Sequence, residues 1–145
     1  MPKKIIGLRG KRNVGKSQTI KKVYDLFKSK HNSIKEELKI EGKTDIRVVL
    51  TIGTTKIGIE SQGDPGAGGR LLKSLPLFVK LGCMVIVCAT RTKGKTVETV
   101  EKLQPDYEVL WFEQKAVKSS IPEQQVSNIA MAKQIIGEVE KTIAS

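Results

Sequence analysis

The sequence predicts an α/β fold in which a mostly parallel central sheet carries helices on both faces. Three observations support this. Short apolar runs at residues 4–8, 84–89 and 107–112 have the length and composition of buried strands. Between and after them, apolar residues step by three and four, the period of a helix face: Ile20, Val23, Tyr24 and Phe27 early, and Ile129, Ala132, Ile136, Val139 and Ile143 late. One β-branched hairpin signal, residues 45–52 and 56–60 around Gly53-Thr54-Thr55, supplies a single antiparallel strand. The expected architecture is one three-layer domain over residues 1–145, with a sheet of about five strands.

Taken in order, residues 4–8 form the first strand, and the helix carrying Ile20 to Phe27 ends near residues 29–32. Ser33-Ile34-Lys35-Glu36 has the form of a capping box and predicts a short helix over 36–41. The hairpin follows, then a glycine-rich loop at 61–69. Leu71, Leu72, Leu75, Phe78 and Val79 predict a helix that kinks or restarts at Pro76 and stops at Gly82. Residues 84–89, the most apolar stretch, belong at the centre of a parallel sheet. A basic loop at 90–96 leads to a short helix through Val97, Val100 and Leu103, closed by Pro105. Trp111 and Phe112 fall in the last strand and read as core. Ser120-Ile121-Pro122-Glu123 is a second capping box and opens the C-terminal helix.

Charge narrows the function classes. The net charge is +11, and residues 1–30 hold ten Lys/Arg against one acid, Asp25. Residues 61–95 hold six basic groups against one acid, Asp64, whereas 96–145 are net acidic. Such a field attracts a polyanionic nucleotide, or marks a surface for nucleic acid or an acidic protein partner. Interleaved aromatic residues are scarce, which weakens single-strand binding by base stacking. Cys83 and Cys88 lie in one apolar run and read as buried thiols rather than a disulfide or metal pair. His31 is the only histidine, so no histidine-based triad or zinc site can be built; it reads as solvent-exposed. No apolar run approaches a membrane span, which predicts a cytoplasmic protein without a membrane partner.

The motif with the most chemistry is Gly10-Lys11-Arg12-Asn13-Val14-Gly15-Lys16-Ser17, a complete G-x-x-x-x-G-K-[ST]. Its glycines let the chain curl until successive backbone N–H groups point inward at phosphate. Lys16 reaches the β- and γ-phosphates as a point charge, and the Ser17 hydroxyl suits Mg²⁺. The following helix turns its positive end toward the same anion. The flanks fit as well, with a strand before the motif and a helix after it.

Over residues 4–18 the chain resembles the P-loop NTPase superfamily, and the order of its elements is similar to the GTPase and nucleotide-kinase layouts. The resemblance implies Mg²⁺ and a nucleoside triphosphate held by Gly10, Lys11, Arg12, Asn13, Val14, Gly15, Lys16, Ser17 and Gln18. It also implies a second acid for the metal. Asp45 opens its strand and is expected at the wrong end of the sheet. That leaves Asp64, acting through water, and Glu60, as metal ligand or base. By resemblance to the GTPase switch, Gln62 positions an attacking water and residues 61–69 respond to the γ-phosphate. Arg91, just past a strand end, stacks on a base, clamps a phosphate or stabilises transition-state charge as lid arginines of nucleoside kinases do. No Asn-Lys-x-Asp occurs, and Ala89-Thr90-Arg91-Thr92-Lys93 holds no acid for guanine, so ATP is the expected nucleotide. The expected function is Mg²⁺-dependent ATP binding and hydrolysis by a stand-alone NTPase or switch. The alternatives are a small-molecule or nucleotide kinase, and a non-catalytic basic module that holds nucleic acid or protein.

Overall fold

A computed structural model describes residues 3–11, 14–41, 45–62, 70–115 and 121–144. The elements in chain order are β1 (Lys4–Arg9), α1 (Lys16–Lys30), β2 (Lys35–Glu41), β3 (Ile46–Ile52), β4 (Thr55–Glu60), α2 (Arg70–Lys80), β5 (Val85–Thr90), α3 (Lys95–Glu101), β6 (Glu108–Glu113) and α4 (Ile121–Ala144). The strands form one six-stranded mixed sheet in the order β2-β3-β4-β5-β1-β6. Pairs β4–β5, β5–β1 and β1–β6 are parallel, while β2–β3 and β3–β4 are antiparallel. The sheet thus has one strand more than expected and is parallel in only part of its width.

The extra strand is β2, where the capping box predicted a helix. The segment Lys-Glu-Glu-Leu-Lys-Ile-Glu satisfies helix propensity, but Leu38 and Ile40 also alternate with a period of two. Pairing with β3 decides the matter, and cross-strand contacts support it: the Glu37 carboxylate accepts from Thr51 Oγ1 on β3 (2.8 Å) and lies 3.2 Å from Lys56 Nζ on β4.

Strand alternation divides the core between the two faces. Ile6, Leu8, Val85, Val87 and Ala89 pack with Ile20, Val23 and Phe27 of α1 and with Ala132, Ile135 and Val139 of α4. Ile5, Ile86 and Cys88 pack on the opposite face with Leu71, Leu75 and Phe78 of α2 and Val100 of α3. Full burial of such side chains contributes about 1.5–3 kcal/mol each. Two glycines permit close approach: a Cβ on Gly7 would lie 2.5 Å from the Trp111 ring, and one on Gly58 would lie 2.6 Å from the Phe78 ring.

α2 runs unbroken through Pro76, without the expected restart. Pro76 and Leu72, four residues before it, are both exposed, so the carbonyl that Pro76 leaves without a donor is on the solvent side. Gly82 stops the chain there with φ +81°. His31 is half-buried rather than solvated. It stacks on Phe27 at 4.5 Å and lies 2.9 Å from a Glu140 carboxylate oxygen. Ser120, the first residue of the second capping box, and residues 63–69 of the glycine-rich loop lie outside the described residues. No helix among the described residues is long and apolar enough to cross a membrane.

Candidate functional site

β1 lies inside the sheet between β5 and β6, so the 10–17 turn starts at the carboxyl edge of three parallel strands. Ligands of open α/β sheets bind at this edge. Both neighbours grip the turn: the Gly10 N–H donates to the Thr90 carbonyl of β5 (3.2 Å), and the Gln114 N–H just past β6 donates to the Arg9 carbonyl (2.8 Å). A Cβ at Gly10 would lie 2.7 Å from the Gln114 carbonyl oxygen. Gly15 sits at φ +89°, where L side chains are strained, and its Cβ position is 2.9 Å from Asn128 Oδ1.

Gly15 is also the N-cap of α1. No side chain caps that end, and the first turn holds no acid. The Thr19 N–H donates to the Gly15 carbonyl (3.0 Å) across the first turn of the helix. Lys16 is buried here, and its ammonium donates to the carbonyls of Gly10 (2.6 Å) and Thr90 (2.7 Å). A cation therefore sits at the mouth of an uncapped helix N-terminus.

Asp45 completes the corner, and its expected position is corrected. β3 runs antiparallel to β4, with Arg47 opposite Glu60, and β4 runs parallel to β5. The start of β3 therefore falls at the carboxyl edge of the parallel strands, beside the 10–17 turn. The Ser17 hydroxyl lies 3.1 Å from Asp45 Oδ1 and 3.3 Å from the Ser61 carbonyl. Ser61 Oγ lies 3.3 Å from the same carboxylate oxygen, accepts from the Ile46 N–H at 2.7 Å, and is buried. One carboxylate and two hydroxyls thus converge from α1, the start of β3 and the end of β4.

Glu60 is engaged elsewhere. It is fully buried, with Oε1 accepting from Ser74 Oγ (2.5 Å), Arg70 Nε (2.9 Å) and Arg47 Nε (3.3 Å). Its Oε2 accepts from the Gln62 N–H at 3.2 Å. Glu60 therefore ties the start of α2 to the hairpin. Gln62 is half-buried, and its Oε1 has no hydrogen-bond partner among the described residues. Arg91 is half-buried directly after Thr90, and its N–H donates to Thr96 Oγ1 (3.0 Å). Lys11 and Gln18 are exposed, Val14 is buried, and Arg12, Asn13 and Asp64 lie outside the described residues. The structure thus brings together Gly10, Gly15, Lys16 and Ser17, with the end of β5 before Arg91. It directs Glu60 into a separate ion-pair network.

Behind the turn stands a set of amides that sequence reasoning missed. Buried Gln114 donates from Nε2 to the Val14 carbonyl and to Asn128 Oδ1, both at 2.7 Å, and accepts from Thr19 Oγ1 at 2.7 Å. Gln124 Nε2 reaches Asn128 Oδ1 (2.8 Å) and the Val14 carbonyl (3.3 Å). A signal was present: Asn128 lies on the buried stripe of α4 with Ala132, Ile135 and Val139, and a polar residue on such a stripe requires partners.

Among the described residues no three His, Cys, Asp or Glu side chains form a metal cage. Cys83 and Cys88 are buried thiols, each pushed up to about 12 by burial. No protein-family model, curated protein or solved structure matches the chain.

Proposed function

We propose that the chain binds a Mg²⁺–nucleoside triphosphate, ATP by preference, at the 10–17 turn and hydrolyses its terminal phosphate slowly, as an NTPase or switch of the P-loop type. The observation that carries this reading is the corner at Ser17. The motif hydroxyl and the Asp45 carboxylate oxygen are 3.1 Å apart, beside an uncapped helix N-terminus and a buried lysine.

The donor set fits Mg²⁺, which is held through one or two protein oxygens plus phosphate and water rather than by a full protein cage. Ser17 and Asp45 would hold it, and when bound it neutralises charge on the phosphates. Lys16 would exchange two neutral carbonyls for anionic phosphate oxygens, which adds the attraction between opposite charges. The α1 amides would donate hydrogen bonds to the anion's remaining lone pairs. Gln62 Oε1 would accept a hydrogen bond from the attacking water and so orient it. With Glu60 held by two arginines and a serine, Asp45 is the carboxylate that reaches the corner among the described residues, and proton removal has little help. That favours slow turnover.

The test is calorimetric titration of ATP and of GTP, with and without Mg²⁺, into wild type and Lys16→Ala, followed by phosphate release without any acceptor. Mg²⁺-dependent ATP binding that the variant loses supports the reading. Absence of binding of either nucleotide at millimolar concentration refutes it, and phosphate transfer only to an added acceptor replaces hydrolysis with kinase activity.

A further inference from the structure

We infer that the groove between the first turns of α1 and α4 receives the nucleoside half of the ligand. This rests on the nucleotide reading above. The groove encloses about 630 Å³. That falls within the roughly 300–1,000 Å³ of small-molecule sites, and a triphosphate lying in the 10–17 turn does not fill it.

Its position follows from the topology. β1 and β6 are parallel, so the helices that follow both begin at the carboxyl edge of the sheet. α1 and α4 pack on the same face, and their opening turns flank the 10–17 turn. Gln18, on the groove wall, directly follows Ser17. In this assignment the nucleoside leaves the phosphates on the Gln18 side and enters the groove. From Gln18 to Asp25 the α1 wall is about 10 Å long, at 1.5 Å per residue, which leaves room for a sugar and a base.

The lining matches a base chemically. Gln18 and Gln125 bring side-chain amides, each with donor and acceptor ends that can pair with a base edge. Ile121 and Ile129 offer apolar surface to a ring face, and Ile121 is 77 % exposed, a large apolar side chain left in water at the groove mouth. Lys21 and Lys22 stand about one turn along from Gln18 and Asp25 about one turn further, so the α1 wall also carries two cations and one acid. The back wall is shared, because Gln124 and Asn128 line the groove and also belong to the amide set that holds the Val14 carbonyl. Filling the groove therefore acts on the same amides that brace the 10–17 turn.

The experiment compares ATP with inorganic tripolyphosphate, which carries the phosphates without the nucleoside. Both are titrated calorimetrically, with Mg²⁺, into wild type, Ile129→Trp, which fills the groove, and Gln125→Ala, a truncation at an exposed position. The expected result is ATP binding at least tenfold tighter than tripolyphosphate in wild type. Ile129→Trp should then bring ATP down to the tripolyphosphate level, and Gln125→Ala should weaken ATP several-fold. Tripolyphosphate affinity should stay the same in both variants, which also shows that they are folded. Equal affinity for the two ligands in wild type, or ATP affinity unchanged by both substitutions, overturns the groove assignment and leaves the nucleotide reading standing. If wild type binds neither ligand, the nucleotide reading falls and the groove assignment falls with it.

Discussion

Replacing Glu60 by glutamine removes a negative charge on which two arginines, a serine hydroxyl and a backbone N–H converge. The carboxylate is fully buried, while the side chains of Arg47 and Arg70 keep 17 % and 21 % of their exposure. Breaking a buried ion pair by removing one partner costs roughly 3–5 kcal/mol, because the other charge stays buried and uncompensated. Here the guanidinium groups retain some water, and a glutamine carbonyl can still accept from Ser74 and one arginine. The cost should therefore sit at the lower end, about 3 kcal/mol. Arg70 Nη2 already has no partner among the described residues, so little else can absorb the lost charge. In urea, with a slope of about 2 kcal/mol per molar, the midpoint of Glu60→Gln should fall by about 1.5 M. The melting temperature should fall by about 6–12 °C. ATP affinity, read below the transition, should change less than threefold. A variant of wild-type stability that loses Mg²⁺-dependent binding would refute the reasoning and return Glu60 to the metal site.

Other perturbations probe other parts of the molecule. Gly7→Ala places a Cβ 2.5 Å from the ring of Trp111, the only tryptophan, so the variant should lose about 1–3 kcal/mol and shift the tryptophan emission to the red. An unchanged spectrum and stability would show that the β1–β6 packing is looser than described. Burial pushes Cys83 and Cys88 up to about 12, so at pH 8 both thiols should resist a disulfide reagent in the native protein and react at once in denaturant. Rapid native labelling would contradict their burial. Hydrogen bonds from Lys28 and then Tyr24 hold the Glu36 carboxyl below its ordinary 4.5. The stability this gives is fully present above pH 4.5 and is lost as pH falls through the lower folded value. Glu36→Gln should therefore be less stable than wild type at pH 7 and converge with it in acid. A gap of equal size at both pH values would remove the charge from the explanation.

How far the sequence could be read depends on where the deciding interactions lie. The turn at Gly10 and Lys16 and the helix after it were legible because motif, strand and helix period are all local. The segment 35–41 was not, since Glu and Lys satisfy a helix and only the β3 partner selects the strand. Asp45 was misplaced for a related reason. Its end of the sheet depends on the direction of β3 relative to β1, which is set through two intervening strands, β4 and β5. Pro76 was read as a kink or restart from sequence alone, but an exposed helix face tolerates the missing N–H. Gln114 and Asn128 gave weak signals because each makes sense only beside the other and beside Val14. Glu60 was read as a metal ligand or base because it follows a β-hairpin, by resemblance to small GTPases. Its partners Arg70 and Ser74 come from a helix that begins ten residues later in the chain.

The most direct test of the central claim is the ratio of ATP affinities with Mg²⁺ and with chelator, measured by calorimetry for wild type and Asp45→Asn. The Ser17–Asp45 corner predicts that Mg²⁺ tightens ATP binding in wild type by at least tenfold. It also predicts that this gain collapses in the variant while affinity in chelator stays the same. Equal Mg²⁺ gains in the two proteins would contradict the role of Asp45, and no ATP binding under either condition would contradict the site itself.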